Sequence, residues 1–196
     1  MIEAGRRVLS AGDVPRLDLV AVARESGVAR STIYLSFGSR SAFLDAIAED
    51  SLARAGFGRL GEYFVLPDAT EAMEKSLAQG PLVYASEHAI LRRMLLLAQL
   101  DPDAAKLYQA RQKARADSMR ELAHRLHRQH VLRAGISVDV AASILFVLTS
   151  FEAFDQLYST WGLDAKTCGS RLVAAAQASL LASSPEIRSA QAAADG

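Results

Sequence analysis

The residues with the clearest chemical pattern lie between Asp18 and Leu44, in the run DLVAVARESGVARSTIYLSFGSRSAFL. Its middle gathers Arg30, Ser31, Thr32, Tyr34, Leu35 and Ser36, with Arg40 just beyond. Ile33 and Phe37 stand at i, i+4, the spacing of one helix face. With these two turned inward at about 100° per residue, Ser31, Thr32 and Leu35 fall on the opposite face, flanked by Tyr34 and Ser36. Hydroxyls bond base edges or phosphate oxygens, a projecting leucine fits a thymine methyl, and a phenol reaches phosphate. Arg30 and Arg40 bracket the segment as cations, and Arg40 falls where the backbone donors of a new helix also favour phosphate. The chemistry is that of reading duplex DNA. A plain helical corner packed on a bundle is the alternative; the large Tyr34, projecting away from the Ile33/Phe37 face, argues against it.

Two helices must hold this face. Leu19, Val22 and Ala23 make an apolar stripe on a helix that starts after Asp18, a good N-cap, and stops at Gly27. Gly27-Val28-Ala29 then turns the chain, and the next helix covers residues 30–37. Two short helices joined by a glycine-containing turn describe a helix-turn-helix, whose second helix enters the major groove. A helix at residues 2–11 precedes it, broken by Gly12 and Pro15, and Ser39 is placed to cap a fourth helix at residues 40–55.

The rest also reads as helix, at residues 69–79, 82–99, 102–133, 138–161 and 165–182, with a break expected at Gly80-Pro81 and a cap at Ser137. Alanine, leucine and arginine recur and β-branched runs are scarce, which favours an all-α fold. The division expected is a DNA-binding domain at residues 1–56, a helical effector and dimerisation domain at 57–184, and a flexible tail at 185–196.

Composition sets limits without choosing a function. The chain is 51% hydrophobic and 22% charged, with 22 basic and 22 acidic residues, so it suits a compact protein, and any DNA affinity must come from a local face. One cysteine, Cys168, precludes an internal disulfide and fits a reducing, cytoplasmic setting. Residues 1–7 lack the apolar core of a leader, and the apolar stretch at residues 138–151 is too short to span a bilayer, so no membrane partner is expected.

The body offers two further readings. Residues 138–161 are apolar on nearly every side through Phe151, and the last helix carries small residues, Ala175, Ala176 and Ser179, beside Leu172 and Leu180. Together they suit a symmetric helix-pair interface, as in a homodimer; a central helix buried in a monomer fits the same pattern. An apolar pocket for a small effector could be walled by Tyr84, His88, Met94, Tyr108, Met119 and Phe146, with Tyr84 and His88 as polar anchors at i, i+4. Ordinary core filling is the better explanation for any one of them.

Other patterns carry no chemistry. His124, His127 and His130 spread over an arc of about 120° and converge poorly on a metal. The basic residues of the long helix, among them Arg111, Arg115, Arg125 and Arg133, read as a solvated face, with an acidic effector as the sharper alternative. No nucleophile set, phosphate-binding glycine loop or Glu-x-x-His pair supports a bundle enzyme, and no cofactor or metal is expected.

The spaced run Val22-Ala23, Ser26-Gly27-Val28, Thr32-Ile33-Tyr34, Phe37, Ser39-Arg40 and Phe43-Leu44 resembles the signature of the tetracycline-repressor-like (TetR/AcrR) regulators, over about the first quarter of the chain. The resemblance implies DNA binding by the first three helices, transmission of ligand-driven movement by the fourth, and a pocket and dimer interface in the remainder. It makes Thr32, Tyr34 and Arg40 DNA contacts and places Arg30, Ser31, Leu35 and Ser36 at positions that vary with the operator. It further implies a ligand-responsive repressor on a palindromic operator; an interaction protein with weakened DNA binding is the alternative. The sequence departs from the pattern in three places. Ala29 stands where a capping serine is usual, leaving Ser31 to cap one turn later. Arg40 replaces a lysine. The first helix begins at the chain start, so the preceding basic arm is expected to be missing or truncated.

Overall fold

The computed structural model describes residues 1–11 and 17–182. The expected Gly12/Pro15 break and the tail at 185–196 lie outside these residues. Among them are eleven α-helices and one π-helical turn: α1 (Ile2–Ser10), α2 (Leu19–Ser26), α3 (Arg30–Phe37), α4 (Arg40–Arg54), α5 (Gly58–Phe64), α6 (Ala69–Ser86), α7 (His88–Leu100), α8 (Pro102–Arg128), α9 (Val138–Leu148), α10 (Phe151–Asp155), the π turn (Gln156–Thr160) and α11 (Ala165–Leu180). No strand occurs among the described residues; one isolated bridge pairs Leu132 with Leu181. No described helix is long and apolar enough to cross a membrane.

The chain divides into two compact units. The first comprises Met1–Phe57 and Ser86–Gln112; the second comprises Gly58–Ala85 and Lys113–Gly196. The first unit thus draws in α7 and the start of α8, segments that read in the sequence as part of the effector body. Its core is built from Leu9, Val22, Ile33, Phe43, Leu44 and Ile47, joined by Ile90 and Leu97 of α7. Glu87, between α6 and α7, has a non-helical backbone (φ −123°, ψ 22°), and its carboxylate accepts from Arg6 Nη2 at 2.6 Å. The break expected at Gly80-Pro81 therefore falls at Glu87 instead, and Tyr84 and His88 lie on different helices, not at i, i+4 of one.

In the second unit α6, α8, α9 and α11 share a core that includes Met73, Leu77, Met119, Leu122, Leu145 and Leu172. Helix α6 continues through Pro81 despite the missing N–H. A proline inside a helix costs about 3 kcal/mol. Met73, Leu77, Gly80, Pro81 and Val83 are all buried there, and their packing offsets that cost. The long helix stops at Arg128 rather than near residue 133, because His130 takes a left-handed conformation (φ 54°).

The helix expected over residues 138–161 is interrupted. The Thr149 hydroxyl donates back to Leu145 O at 2.7 Å, and Ser150 Oγ accepts from Ala153 N at 3.0 Å, starting α10. Adjacent hydroxyl side chains compete for the backbone and open the helix there. Ser137 caps α9 where the sequence placed a cap.

Several arginines expected on a solvated face of α8 act as clamps. Arg125 donates to the carbonyls of Phe64 and Leu66, while Gln129 accepts from Ala69 N and donates to Pro67 O, each at 2.8 Å. Arg133 donates to the carbonyls of Ala178 and Ser179, satisfying acceptors at the C-terminal end of α11.

Candidate nucleic-acid interface

Local signals build the helix-turn-helix. Asp18 Oδ1 accepts from Val20 N at 2.9 Å and Ala21 N at 3.4 Å, which starts α2. Gly27 ends it in the left-handed region (φ 68°), where a Cβ would be strained, and its N–H bonds back to α2. Val28 packs against the core of the first unit, in the corner between α2 and α3. Ser39 Oγ then accepts from Ala42 N at 3.0 Å and starts α4.

Helix α3 is anchored by one side only. Ile33 is 1% exposed and Phe37 leans on Phe43, ring centroids 4.8 Å apart. On the other side Leu35 is 87% exposed and Tyr34 37%. Arg30, Ser31 and Ser36 are exposed and Thr32 is half-buried. An 87% exposed leucine on a packed helix has no folding role, since burial would be worth about 1.5–3 kcal/mol. Arg30 Nη2 donates to the Tyr34 hydroxyl at 3.2 Å and its guanidinium lies 5.5 Å from the Tyr34 ring centroid. One turn of α3 thereby presents a cation and a phenol as a preformed pair.

The cap of α3 is absent, as Ala29 implies: its backbone is extended (φ −70°, ψ 148°) with no side-chain hydrogen bond. Ser31 does not take over, because α3 already starts at Arg30 and the reading helix keeps its full length. Ala29→Ser should add the missing cap and raise the stability of the first unit by about 1 kcal/mol. Thermal melting followed by circular dichroism checks this; an unchanged or lowered Tm would contradict it.

Arg40 is not held out toward solvent. Its Nη2 lies 2.5 Å from Asp101 Oδ2 and its Nη1 3.2 Å from Asp101 Oδ1, a bidentate pair, with Asp103 at 3.5 Å. The hydrogen bond to Asp101 is the main cause of the raised Arg40 pKa, with Tyr34 a further small contributor. Asp101 is correspondingly lowered, first by that bond and also by the N–H groups of Asp103 and Ala104. Two other arginines of the basic N-terminal segment are paired as well, Arg6 with Glu87 and Arg7 with Glu25 at 2.8 Å. Arg111, within α8, reaches Asp45 at 2.7 Å and Glu49 at 2.6 Å, both on α4. Sequence reading gives Asp101 only the start of the long helix and Asp103 no role, and at 61 residues' separation no local pattern signals the Arg40–Asp101 pair.

The six candidate pocket residues divide between the two units. His88, Met94 and Tyr108 belong to the first, where Met94 packs on the core and Tyr108 accepts from Gln112. Tyr84, Met119 and Phe146 come together in the second around Thr149, which the sequence did not single out. Tyr84 Oη donates to Thr149 O at 2.9 Å, and Thr149 Oγ1 lies 3.5 Å from Met119 Sδ. Arg115 Nη1 donates to Thr149 Oγ1 at 3.1 Å and to Phe146 O, and the guanidinium sits 3.8 Å from the Phe146 ring centroid. Phe151, Phe154 and Tyr158 extend the aromatic group from Tyr84. No group of three metal-ligating side chains occurs among the described residues. Cys168 is buried, and burial pushes its thiol up, away from the reactive thiolate.

Among the described residues, a capped helix-turn-helix precedes a series of further helices. Residues 1–47 match the family model described as bacterial regulatory proteins, tetR family. No curated protein sequence matches the chain. Its fold is similar over nearly its whole length to solved structures of low identity. A candidate transcriptional regulator from Saccharomonospora viridis in complex with choline is 16% identical, with a TM-score of 0.69 over 93% of this chain and 96% of that one. The fatty acid degradation regulator FadR from Bacillus halodurans is also 16% identical, with a TM-score of 0.69 over 89% and 95%. A TetR transcription regulator from Haloarcula marismortui is 14% identical, with a TM-score of 0.67 over 91% and 95%.

Proposed function

We infer that this protein is a ligand-responsive transcriptional repressor, acting in the cytoplasm, that binds a palindromic operator as a homodimer and leaves it when a small molecule binds. The observation that carries the DNA reading is the outward face of α3, where Leu35 and Tyr34 stand exposed between Arg30, Ser31 and Ser36 while Ile33 holds the helix down. In the bound state Thr32, Tyr34 and Arg40 contact the backbone, and Arg30, Ser31, Leu35 and Ser36 meet base edges.

Dimerisation has its own support. Helix α9 buries Ala141, Ala142 and Leu145, yet on its other side Val140 is 44% and Val147 59% exposed, and Ser143 between them is exposed too. The neighbouring α11 exposes Ala174, Ala175 and Ala178. Small and apolar side chains side by side on two packed helices suit a self-complementary interface, and a two-fold dimer sets two α3 helices in successive major grooves. Leu172, Ala176 and Leu180, read from the sequence as interface residues, are used in the core of their own chain.

For the effector, the Tyr84/Met119/Phe146 group around Thr149 is the favoured wall, and His88, Met94 and Tyr108, in the first unit, are the less supported candidates. The Saccharomonospora viridis relative was solved with choline. An aromatic-rich wall suits a small amphipathic molecule in the same way.

The test uses duplex DNA from upstream of the protein's own gene, followed by fluorescence anisotropy, with a scrambled duplex as control. Specific binding is expected, weakened at least tenfold by Tyr34→Ala with circular dichroism unchanged, and light scattering should give twice the chain mass. Equal affinity for both duplexes would overturn the DNA reading, and a single-chain mass would overturn the dimer.

A further inference from the structure

Arg40 is the one cation of the DNA-reading segment held by two carboxylates. Asp101 takes it bidentately, at 2.5 and 3.2 Å, and Asp103 stands 3.5 Å away. A guanidinium so placed offers DNA no open fork, and one positive against two negative charges leaves the spot net negative. That is the wrong sign for a phosphate contact, and two carboxylates there repel the duplex backbone. The pair is only partly shielded: the Arg40 side chain is 28% exposed and that of Asp101 18%. Water and a competing anion can reach it.

We propose that Asp101 is a positioning residue that competes with DNA phosphate for Arg40, so that operator binding requires Arg40 to exchange one oxyanion for another. This rests on the DNA reading above and deepens it. A carboxylate and a phosphate both match the planar guanidinium fork, so the exchange replaces like with like and needs only a side-chain rotation. Asp101 is also committed independently of Arg40. Its Oδ1 accepts from the N–H groups of Asp103 and Ala104, at 3.0 and 3.1 Å, at the start of α8. It therefore stays in place when Arg40 leaves.

This division of labour within one carboxylate supplies the variant. Asp101→Asn keeps an oxygen at the Oδ1 position for the two N–H groups and puts an NH2 where Oδ2 met Arg40 Nη2. Donor then faces donor at the Oδ2 position, the hold on Arg40 falls to the 3.2 Å Nη1–Oδ1 contact and Asp103, and α8 keeps its cap.

The experiment measures binding to the duplex from upstream of the gene over a range of salt, for the wild type, Asp101→Asn, Asp103→Asn, Arg40→Gln and the Arg40→Gln/Asp101→Asn double variant, with Tm as a check on folding. Asp101→Asn is expected to bind roughly two- to fivefold tighter, the size of one partly exposed ion pair. In the Arg40→Gln background the same change should gain markedly less. Arg40→Gln alone should flatten the dependence of log K on log salt by about one unit, the loss of one phosphate contact. An equal gain in both backgrounds would mean a general field effect and overturn the exchange, as would an unchanged salt slope in Arg40→Gln. If the wild type binds no DNA and Tyr34→Ala changes nothing, the DNA reading itself falls and the exchange with it. If the wild type binds and Tyr34→Ala weakens it while Asp101→Asn has no effect, only the exchange falls.

Discussion

Phe43→Ala should cost the first unit about 3–5 kcal/mol, the range for removing a large buried aromatic. The ring is fully buried, stacks at a tilt on Phe37 at the end of α3, and faces α1 at its closest point. There Gly5 leaves room for it: a Cβ on Gly5 would lie 2.9 Å from Phe43 Cζ and 2.6 Å from Ile47 Cδ1. Three helices thus meet on one side chain, and its removal leaves a cavity at that junction. A domain is stable by only about 5–15 kcal/mol, so the loss should lower the melting temperature by roughly 15 °C or more and remove DNA binding near body temperature. Leu35→Ala is the control. It removes a side chain of similar apolar character from the open face of α3, so Tm should stay constant while DNA affinity drops. A Phe43→Ala protein that melts like the wild type would show that α3 is not held through this contact.

Gly169→Val should destabilise the second unit. Helix α11 crosses α6 so closely that a Cβ at Gly169 would stand 2.7 Å from Ala78 O and 3.2 Å from Ala78 Cα. Both are backbone atoms, so neither can rotate aside and the helices must separate. Overpacking of this kind costs about 1–3 kcal/mol or somewhat more, and valine adds a branched Cβ to a helix interior. Gly80→Ala, on the same α6, supplies the opposite sign: a Cβ there meets nothing within 4 Å. Alanine should then stabilise by about 0.5–1 kcal/mol through helix propensity. Differential scanning calorimetry of the two variants checks the pair. A Gly169→Val protein as stable as the wild type would rule out the close crossing.

These two positions also show how far the chain could be read without coordinates. The caps and stops around the helix-turn-helix were legible because each is a local bargain between one side chain and the next few N–H groups. Asp18, Gly27, Ser39 and Ser137 do what their types and neighbours imply. The exposed face of α3 was legible for a related reason, since Ile33 and Phe37 alone decide which way a short helix turns. Gly80-Pro81 misled because a local stop signal was outweighed by burial of Leu77, Gly80, Pro81 and Val83, which sequence spacing does not record. Thr149-Ser150 misled in the other direction, two hydroxyls opening a helix that its apolar neighbours would have continued. The basic helix α8 read as solvated because the partners of Arg111, Arg115 and Arg125 lie 31 to 66 residues away along the chain.

The amino-acid order alone determined that the chain is helical, where most helices start, and which face of α3 is polar, because those outcomes depend on interactions within a few residues and on helix periodicity. Only the tertiary structure decided that Arg40 is held by Asp101, that Gly169 serves a crossing within its own chain, and that α7 joins the N-terminal unit. Such outcomes depend on which distant segments share a small volume, and burial and charge pairing there are set by the three-dimensional path of the chain.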